Sequence, residues 1–299
     1  MVRDFTLNFQ SRGKKVILKS RVFELGSLET RAARVLKRID ESVSLGGKVW
    51  IAGGFPRRIA HYFMLDAPAE TEDYFRNGGD VDIFVSPGIP LEDLWKGQNQ
   101  ILERSMAGFA KETMLGGFKI QIVTHEKLRY ETVEECLNSF DIHNSMYAIT
   151  KENDQWKIYW SLEAVEADKK KEVKIHRVDS PLLGSRIIKY IWQRGCSSGV
   201  SEDSKKILPS WFLNILCENW NEASIPISKT SFQPASIISK MIKEGLVRKE
   251  DVALFLGKWR MKKRLKEDSD DDEFFNYSGF AVEVDWAEVM AEKIGAQAE

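Results

Sequence analysis

The chain has few cysteines, no long apolar run and no excess of charge of either sign. Cys136, Cys196 and Cys217 are the only cysteines in 299 residues, and they are scattered without metal-ligand spacing. An odd, sparse set argues against a disulfide scaffold and suits a reducing compartment. No apolar stretch approaches the roughly 18–20 residues that span a bilayer. The opening residues, "MVRDFTLNFQSRGKK", lack the apolar centre of a signal peptide. Lysine and arginine number 44 against 45 aspartates and glutamates, so overall charge does not advertise nucleic acid, and only local patches could bind it. His125 and His143 have no partner at ligand spacing, which favours surface or packing roles over metal ligation. What remains is 43% hydrophobic and 11% aromatic, enough for a real core in two modest domains or one large one, and expected in the cytoplasm.

Residues 49–85 say the most. "VWIAGGFPRRIAHYFM" is followed by a polar insert and then "GGDVDIFV". The spacing predicts a buried strand ending at Ala52, a glycine turn at Gly53-Gly54, a helix over Phe55–Met64, and a second strand carrying Asp80 and Asp82. Residues two apart on a strand share a face, so the two carboxylates stand side by side while Val81 and Ile83 turn to the core. Like charges that close repel unless a cation or proton lies between them. Hard oxygen ligands suit Mg²⁺, which commonly takes one or two carboxylates plus substrate phosphates. Glycines at a helix start let backbone N–H groups approach a phosphate, where the helix dipole favours negative charge. Arg57 and Arg58, in the first turn, add cationic donors. Each signal alone has a plainer reading: a polar strand face, a simple turn, surface charge. Their order is the specific feature.

In that order the sequence resembles the nucleotidyltransferase superfamily typified by DNA polymerase beta. "AGGFPRR" is similar to the "GGxVRD" of tRNA nucleotidyltransferases and poly(A) polymerases, with Arg57 at the motif arginine and Arg58 where the family has aspartate. "SFDIHNSMYAI" (Ser139–Ile149) resembles the strand motif that selects the nucleotide sugar, with Asp141 and Asn144 as candidates at a spacing one residue shorter. "DSPLLGSRIIKYIWQRG" (Asp179–Gly195) resembles the helix after the catalytic domain; Arg186 and Tyr190 match, and Lys189 replaces an arginine. The resemblance implies that Gly53 and Gly54 contact a nucleoside triphosphate, that Asp80 and Asp82 are catalytic and hold Mg²⁺, and that Arg57, Arg58, Asp141, Asn144, Arg186, Lys189 and Tyr190 bind nucleotide. Many members carry a third carboxylate on the neighbouring strand. Here Gln121 stands there, able to hydrogen-bond a metal-bound water but without charge.

The implied fold is α+β: a small mixed β-sheet flanked by helices, followed by a helical domain. The expected organisation is an N-terminal hairpin and helix over 1–45, a catalytic domain over 46–180, a helical domain over 181–265, and an acidic loop and tail over 266–299. A capping box near Ser27 should start the first helix. Leu91–Glu112 reads as broken helix, Gly117–Lys127 as a strand beside Asp80, and Met146–Trp160 as a hairpin. Further helices are expected over Lys205–Asn219, Pro234–Glu244 and Lys249–Arg264. The basic run Lys258–Lys266 with Trp259 reads as an RNA contact or a solvated helix. The implied activity is template-independent transfer of a nucleoside monophosphate to an acceptor hydroxyl, an RNA 3′ end such as a tRNA-like acceptor first, with a protein or small molecule as other acceptors. The alternative is a catalytically inactive binding or structural module of the same fold, of viral or phage type. Its motives are Gln121, the long insert over Asp66–Gly79 and the shortened Asp141 motif.

Overall fold

The computed structural model describes residues 5–10, 15–28, 30–64, 79–90, 94–95, 103–104, 110–178, 183–209 and 212–213. The chain divides into two units, Met1–Arg177 and Val178–Glu299.

The first unit is built on one nine-stranded sheet. Its strands are β1 (Phe5–Gln10), β2 (Lys15–Phe23), β3 (Val49–Ala52), β4 (Asp80–Val85), β5 (Glu103–Arg104), β6 (Ala110–Leu115), β7 (Phe118–Val123), β8 (Tyr147–Glu152) and β9 (Gln155–Ser161). Their order across the sheet is β1-β2-β9-β8-β3-β4-β7-β6-β5. The β4–β7 pair is parallel and every other neighbouring pair is antiparallel, so the sheet is mixed. The N-terminal hairpin β1–β2 continues this sheet through β2–β9 pairing.

Alternation fixes which face is core. Val81, Ile83 and Val85 of β4 and Phe118, Ile120 and Ile122 of β7 are buried, and the register Val81↔Ile120 puts them on one face. Helix α1 (Thr30–Val43) carries a buried stripe of Ala32, Val35, Leu36, Ile39 and Val43 at helical spacing. Helix α2 (Gly54–Met64) covers the same sheet face: its Phe55 meets Phe118 edge-on, with ring centroids 5.7 Å apart. Asp80, Asp82 and Phe84 look to the opposite face. There Phe84 packs against Phe140, just beyond helix α3 (Val133–Asn138), at 6.0 Å. The hydroxyl of Thr132 caps α3 by accepting from Glu135 N. Helix α4 (Leu162–Lys169) starts in the same way, with Ser161 accepting from Ala164 N.

Two local expectations are corrected. Ser27 does not cap α1: it closes a 3₁₀ turn, Leu25–Ser27, and its hydroxyl donates to the Glu24 carbonyl at 2.6 Å. The stretch expected as broken helix, Leu91–Glu112, contains strand β5 and the start of β6. Gly116 and Gly117, at φ 61° and 86°, form a two-residue turn whose twist brings β6 back antiparallel to β7.

In the second unit, helix α5 (Leu183–Gln193) buries Ile187, Ile188 and Ile191, and the short helix α6 is Glu202–Lys205. Most of the insert before Gly79, nearly all of the three later helices, the basic run Lys258–Lys266 and the acidic tail lie outside the described residues. Among the described residues no helix is long and apolar enough to cross a membrane.

Candidate functional site

Strand β3 ends in a turn that only glycine accommodates easily. Gly53 has φ +94°, its N–H donates to the Tyr147 carbonyl at 2.9 Å, and its carbonyl accepts from Arg57 N at 3.2 Å. The first glycine therefore completes the β3–β8 pairing and at the same time opens α2. Its N–H is already used. Gly54 occupies the first position of α2, among the N–H groups that no intrahelical acceptor reaches. Among the described residues a Cβ placed on Gly54 would meet nothing within 4 Å.

The acid pair borders this turn. Asp82 is the register neighbour of Ala52, and a Cβ on Gly53 would stand 3.8 Å from Asp82 Oδ2. Asp80 is exposed, Asp82 is half-buried, and Val81 between them is fully buried. Both carboxylates therefore stand on one face of β4, beside the glycine bend. A carboxylate pair on one strand face is the donor type a hard divalent ion takes, with water and substrate phosphate as its remaining ligands. No cluster of three or more ligating side chains occurs among the described residues.

The next two strands extend that face. Gln121 of β7 is the register neighbour of Asp82, and Glu112 of β6 is the register neighbour of Gln121. The Gln121 amide Nε2 donates to Glu112 Oε1 at 3.0 Å, and Lys119 Nζ pairs with Glu112 Oε2 at 2.8 Å. The neighbouring carboxylate thus lies one strand further from Asp82 than a third catalytic acid would, with Gln121 between them.

Arg57 and Asn144 point inward and share a partner that the sequence did not single out. Arg57 is 3% exposed, and its guanidinium grips Asp168 through Nε at 3.0 and 3.2 Å and Nη2 at 2.9 Å. Asp168 also accepts from His61 Nε2, Asn144 Nδ2 and the Tyr147 hydroxyl, each at 2.7 Å. Burial opposes ionisation of Asp168, but the charge of Arg57 and the hydrogen bonds from His61 and Arg57 outweigh it and hold the carboxyl well below its ordinary range. Burial also lowers the pKa of His61, against the pull of Asp168, so the imidazole is neutral near pH 7 and donates its Nε2–H. Arg58 is buried too, and its charge adds to the lowering at His61.

Asn144 is fully buried; besides Asp168 its Nδ2 reaches the Glu172 carbonyl at 2.9 Å, and its Oδ1 accepts from Lys174 N at 3.0 Å. Asp141 is buried, and its carbonyl accepts from His176 N and Arg177 N. Arg186 is half-buried, Lys189 exposed and Tyr190 buried, all on α5 of the second unit. The structure thus brings Asp82 beside the Gly53-Gly54 bend, with Asp80 on the same strand face, and gathers Arg57 and Asn144 around Asp168. Tyr147 joins the two groups, with its carbonyl on Gly53 N–H and its hydroxyl on Asp168.

No protein-family model matches the chain, and no curated protein matches its sequence. Solved structures do. A CCA-adding enzyme in complex with CTP is similar at 15% identity and a TM-score of 0.45, over 74% of this chain and 53% of that one. The Thermotoga maritima CCA-adding enzyme complexed with tRNA is similar at 16% identity and a TM-score of 0.43, over 74% and 52%. A tRNA nucleotidyltransferase with a primer tRNA and an incoming ATP analogue is similar at 15% identity and a TM-score of 0.42, over 77% and 64%. This chain spans about half the length of the first of these structures.

Asp168 lies in "SLEAVEADKKK", a charged context that reads as a solvated helix face. The available signal was the i, i+4 pair Arg57 and His61, which places two donors on one face of α2. Their acceptor lies more than a hundred residues away in sequence.

Proposed function

We propose that the first unit is a nucleotidyltransferase that moves a nucleoside monophosphate from a triphosphate to an acceptor hydroxyl without a template. The observation that carries this reading is the position of the Asp82 carboxylate beside the Gly53 bend, with Asp80 on the same face of β4. Asp80 and Asp82 would hold Mg²⁺. The chemistry supplied when it is bound is neutralisation of charge on the triphosphate and activation of the attacking hydroxyl. Gly54 N–H, at the N-terminal end of α2 where no intrahelical acceptor reaches it, would donate to phosphate oxygens. Gly53 serves by adopting φ +94°, a backbone conformation that other residues take only under strain.

Arg57 and Asn144 act through Asp168 in this reading. They fix Tyr147, and Tyr147 fixes the Gly53 amide, so the bend is rigid before substrate arrives. Arg58 adds its charge beside His61 in this layer. The acceptor proposed first is an RNA 3′ end of tRNA type.

Gln121 supports a second reading, a module of this fold that binds but does not transfer, because the neutral amide stands where a general base would be useful. One experiment separates the two. The full chain is incubated with total RNA and labelled ATP, CTP, GTP or UTP in separate reactions, beside an Asp80→Ala, Asp82→Ala variant. Label retained on RNA by the wild type and reduced at least about 100-fold in the variant supports transfer. Equal retention in both ends it. Triphosphate binding by calorimetry that depends on Mg²⁺, without turnover, selects the second reading.

A further inference from the structure

The face of α1 turned toward the β6–β7 turn holds a cleft of about 410 Å³ lined by Arg31, Arg34, Val35, Arg38 and Gly116. The three arginines stand at i, i+3 and i+7, one stripe of a helix whose other side is buried in the core. Two of them converge although their Cα atoms start about 10 Å apart along the helix axis. Arg31 Nη2 lies 3.5 Å from where a Cβ on Gly117 would stand, and Arg38 Nη1 lies 3.6 Å from the corresponding point at Gly116. The Gly-Gly tip, with no side chains, leaves room for both guanidinium groups.

The two acids of α1 lie against lysines. Asp40 is taken by Lys151 at 3.0 Å, and Glu41 lies 3.9 Å from Lys37. Among the described residues neither Arg34 nor Arg38 has an ion pair, and both are exposed. Like charges gathered around one cleft raise its potential and favour an anion there. The planar guanidinium fork matches phosphate oxygens in pairs, which a lysine cluster would not do.

We propose that this cleft binds the phosphodiester backbone of a nucleic-acid strand. Arg34 and Arg38, one helical turn apart, present two exposed forks along the helix, which suit neighbouring phosphates of a strand better than a single ion. Gly117 lies two residues before Lys119, the register neighbour of Asp80, which puts the turn roughly 8 Å from the start of β4. Arginine cleft and acid pair thus lie at the same end of the sheet but on opposite faces, so the cleft is a site apart from the acids. The site goes beyond the transfer reading and does not require it: backbone binding by α1 would persist in a chain with no activity.

The test uses the full chain and 5′-labelled, mixed-sequence single strands of RNA and of DNA, followed by fluorescence anisotropy across about 50–200 mM salt. Arg34→Glu with Arg38→Glu, both at exposed positions, should weaken strand binding at least about tenfold and lower the slope of log K against log salt by about 1.4, two contacts at about 0.7 each. Arg34→Lys with Arg38→Lys should retain most of the slope while losing affinity. Asp80→Asn with Asp82→Asn should bind the strand as the wild type does, which separates this site from the transfer reading. Strand affinity and slope unchanged in the charge-reversed variant, with its circular dichroism unaltered, overturn the proposal. So does a wild-type chain that binds inorganic phosphate but neither strand.

Discussion

Replacing Asp168 with asparagine tests the buried network that stands behind the glycine bend. The change is nearly isosteric. It removes the only charge opposite Arg57 in this network and turns one of the two oxygens that Arg57, His61, Asn144 and Tyr147 share into a donor. The side chains of Asp168 and Arg57 are 0% and 3% exposed, so water cannot compensate for the loss. Breaking one side of a buried ion pair costs about 3–5 kcal/mol because the surviving charge is left without compensation. An independent Coulomb figure, two unit charges about 4 Å apart at an effective dielectric constant near 20, gives about 4 kcal/mol. A loss of that size lowers the melting temperature of a unit this large by about 8–16 °C. Urea unfolding followed by circular dichroism and tryptophan fluorescence should show the midpoint fall with no change in m. A complementary arm replaces both partners, Asp168→Leu with Arg57→Met. The double change should cost less than Asp168→Leu alone, since no unpaired charge remains, although His61, Asn144 and Tyr147 lose their acceptor in both. If Asp168→Asn loses less than about 1 kcal/mol, the network does not hold the bend, and the supporting role assigned to Arg57 and Asn144 goes with it.

Gly53→Ala and Gly54→Ala should separate backbone strain from crowding. At Gly53 a Cβ has ordinary room, 3.8 Å from Asp82 Oδ2, but φ +94° remains, so alanine should cost about 1–3 kcal/mol in a thermal melt. At Gly54 alanine should be neutral or slightly stabilising in the same melt, since the position is helical and open. Equal losses at both would refute the distinction. Acid should weaken the fold in two stages. The lowered pKa of His61 means its contribution is complete above the unfolded value near 6.5 and is lost as pH falls below it. The lowered pKa of Asp168 adds a second loss below about pH 3.9. Urea midpoints that stay flat from pH 7 to 5, or a slope in that window that survives His61→Gln, would count against the first stage.

The mixed sheet was legible where period and punctuation agree. Val81, Ile83 and the paired aspartates alternate at period two, and the Gly53-Gly54 step marks the change to helical spacing at α2. The β6 segment was misread because apolar and polar residues in Leu91–Glu112 fit a loose helical period. Its strand character comes from partners on β7 and from a glycine turn at its far end. Ser27 was read as a cap from its spacing to Glu29-Thr30. Its hydroxyl instead finds the Glu24 carbonyl, a choice between two local acceptor geometries that residue type alone does not make.

By itself the sequence determined that a glycine bend and two same-face carboxylates follow one another across β3, α2 and β4, because strand period and turn chemistry are local properties written residue by residue. Only the tertiary structure decided that Gly53 lies against Asp82, that Arg57 turns inward to Asp168, and that the arginines of α1 gather at the Gly116-Gly117 tip. Each of these depends on which distant segment supplies the opposing charge or the open space. Electrostatic complementarity over more than a hundred residues has no period to read.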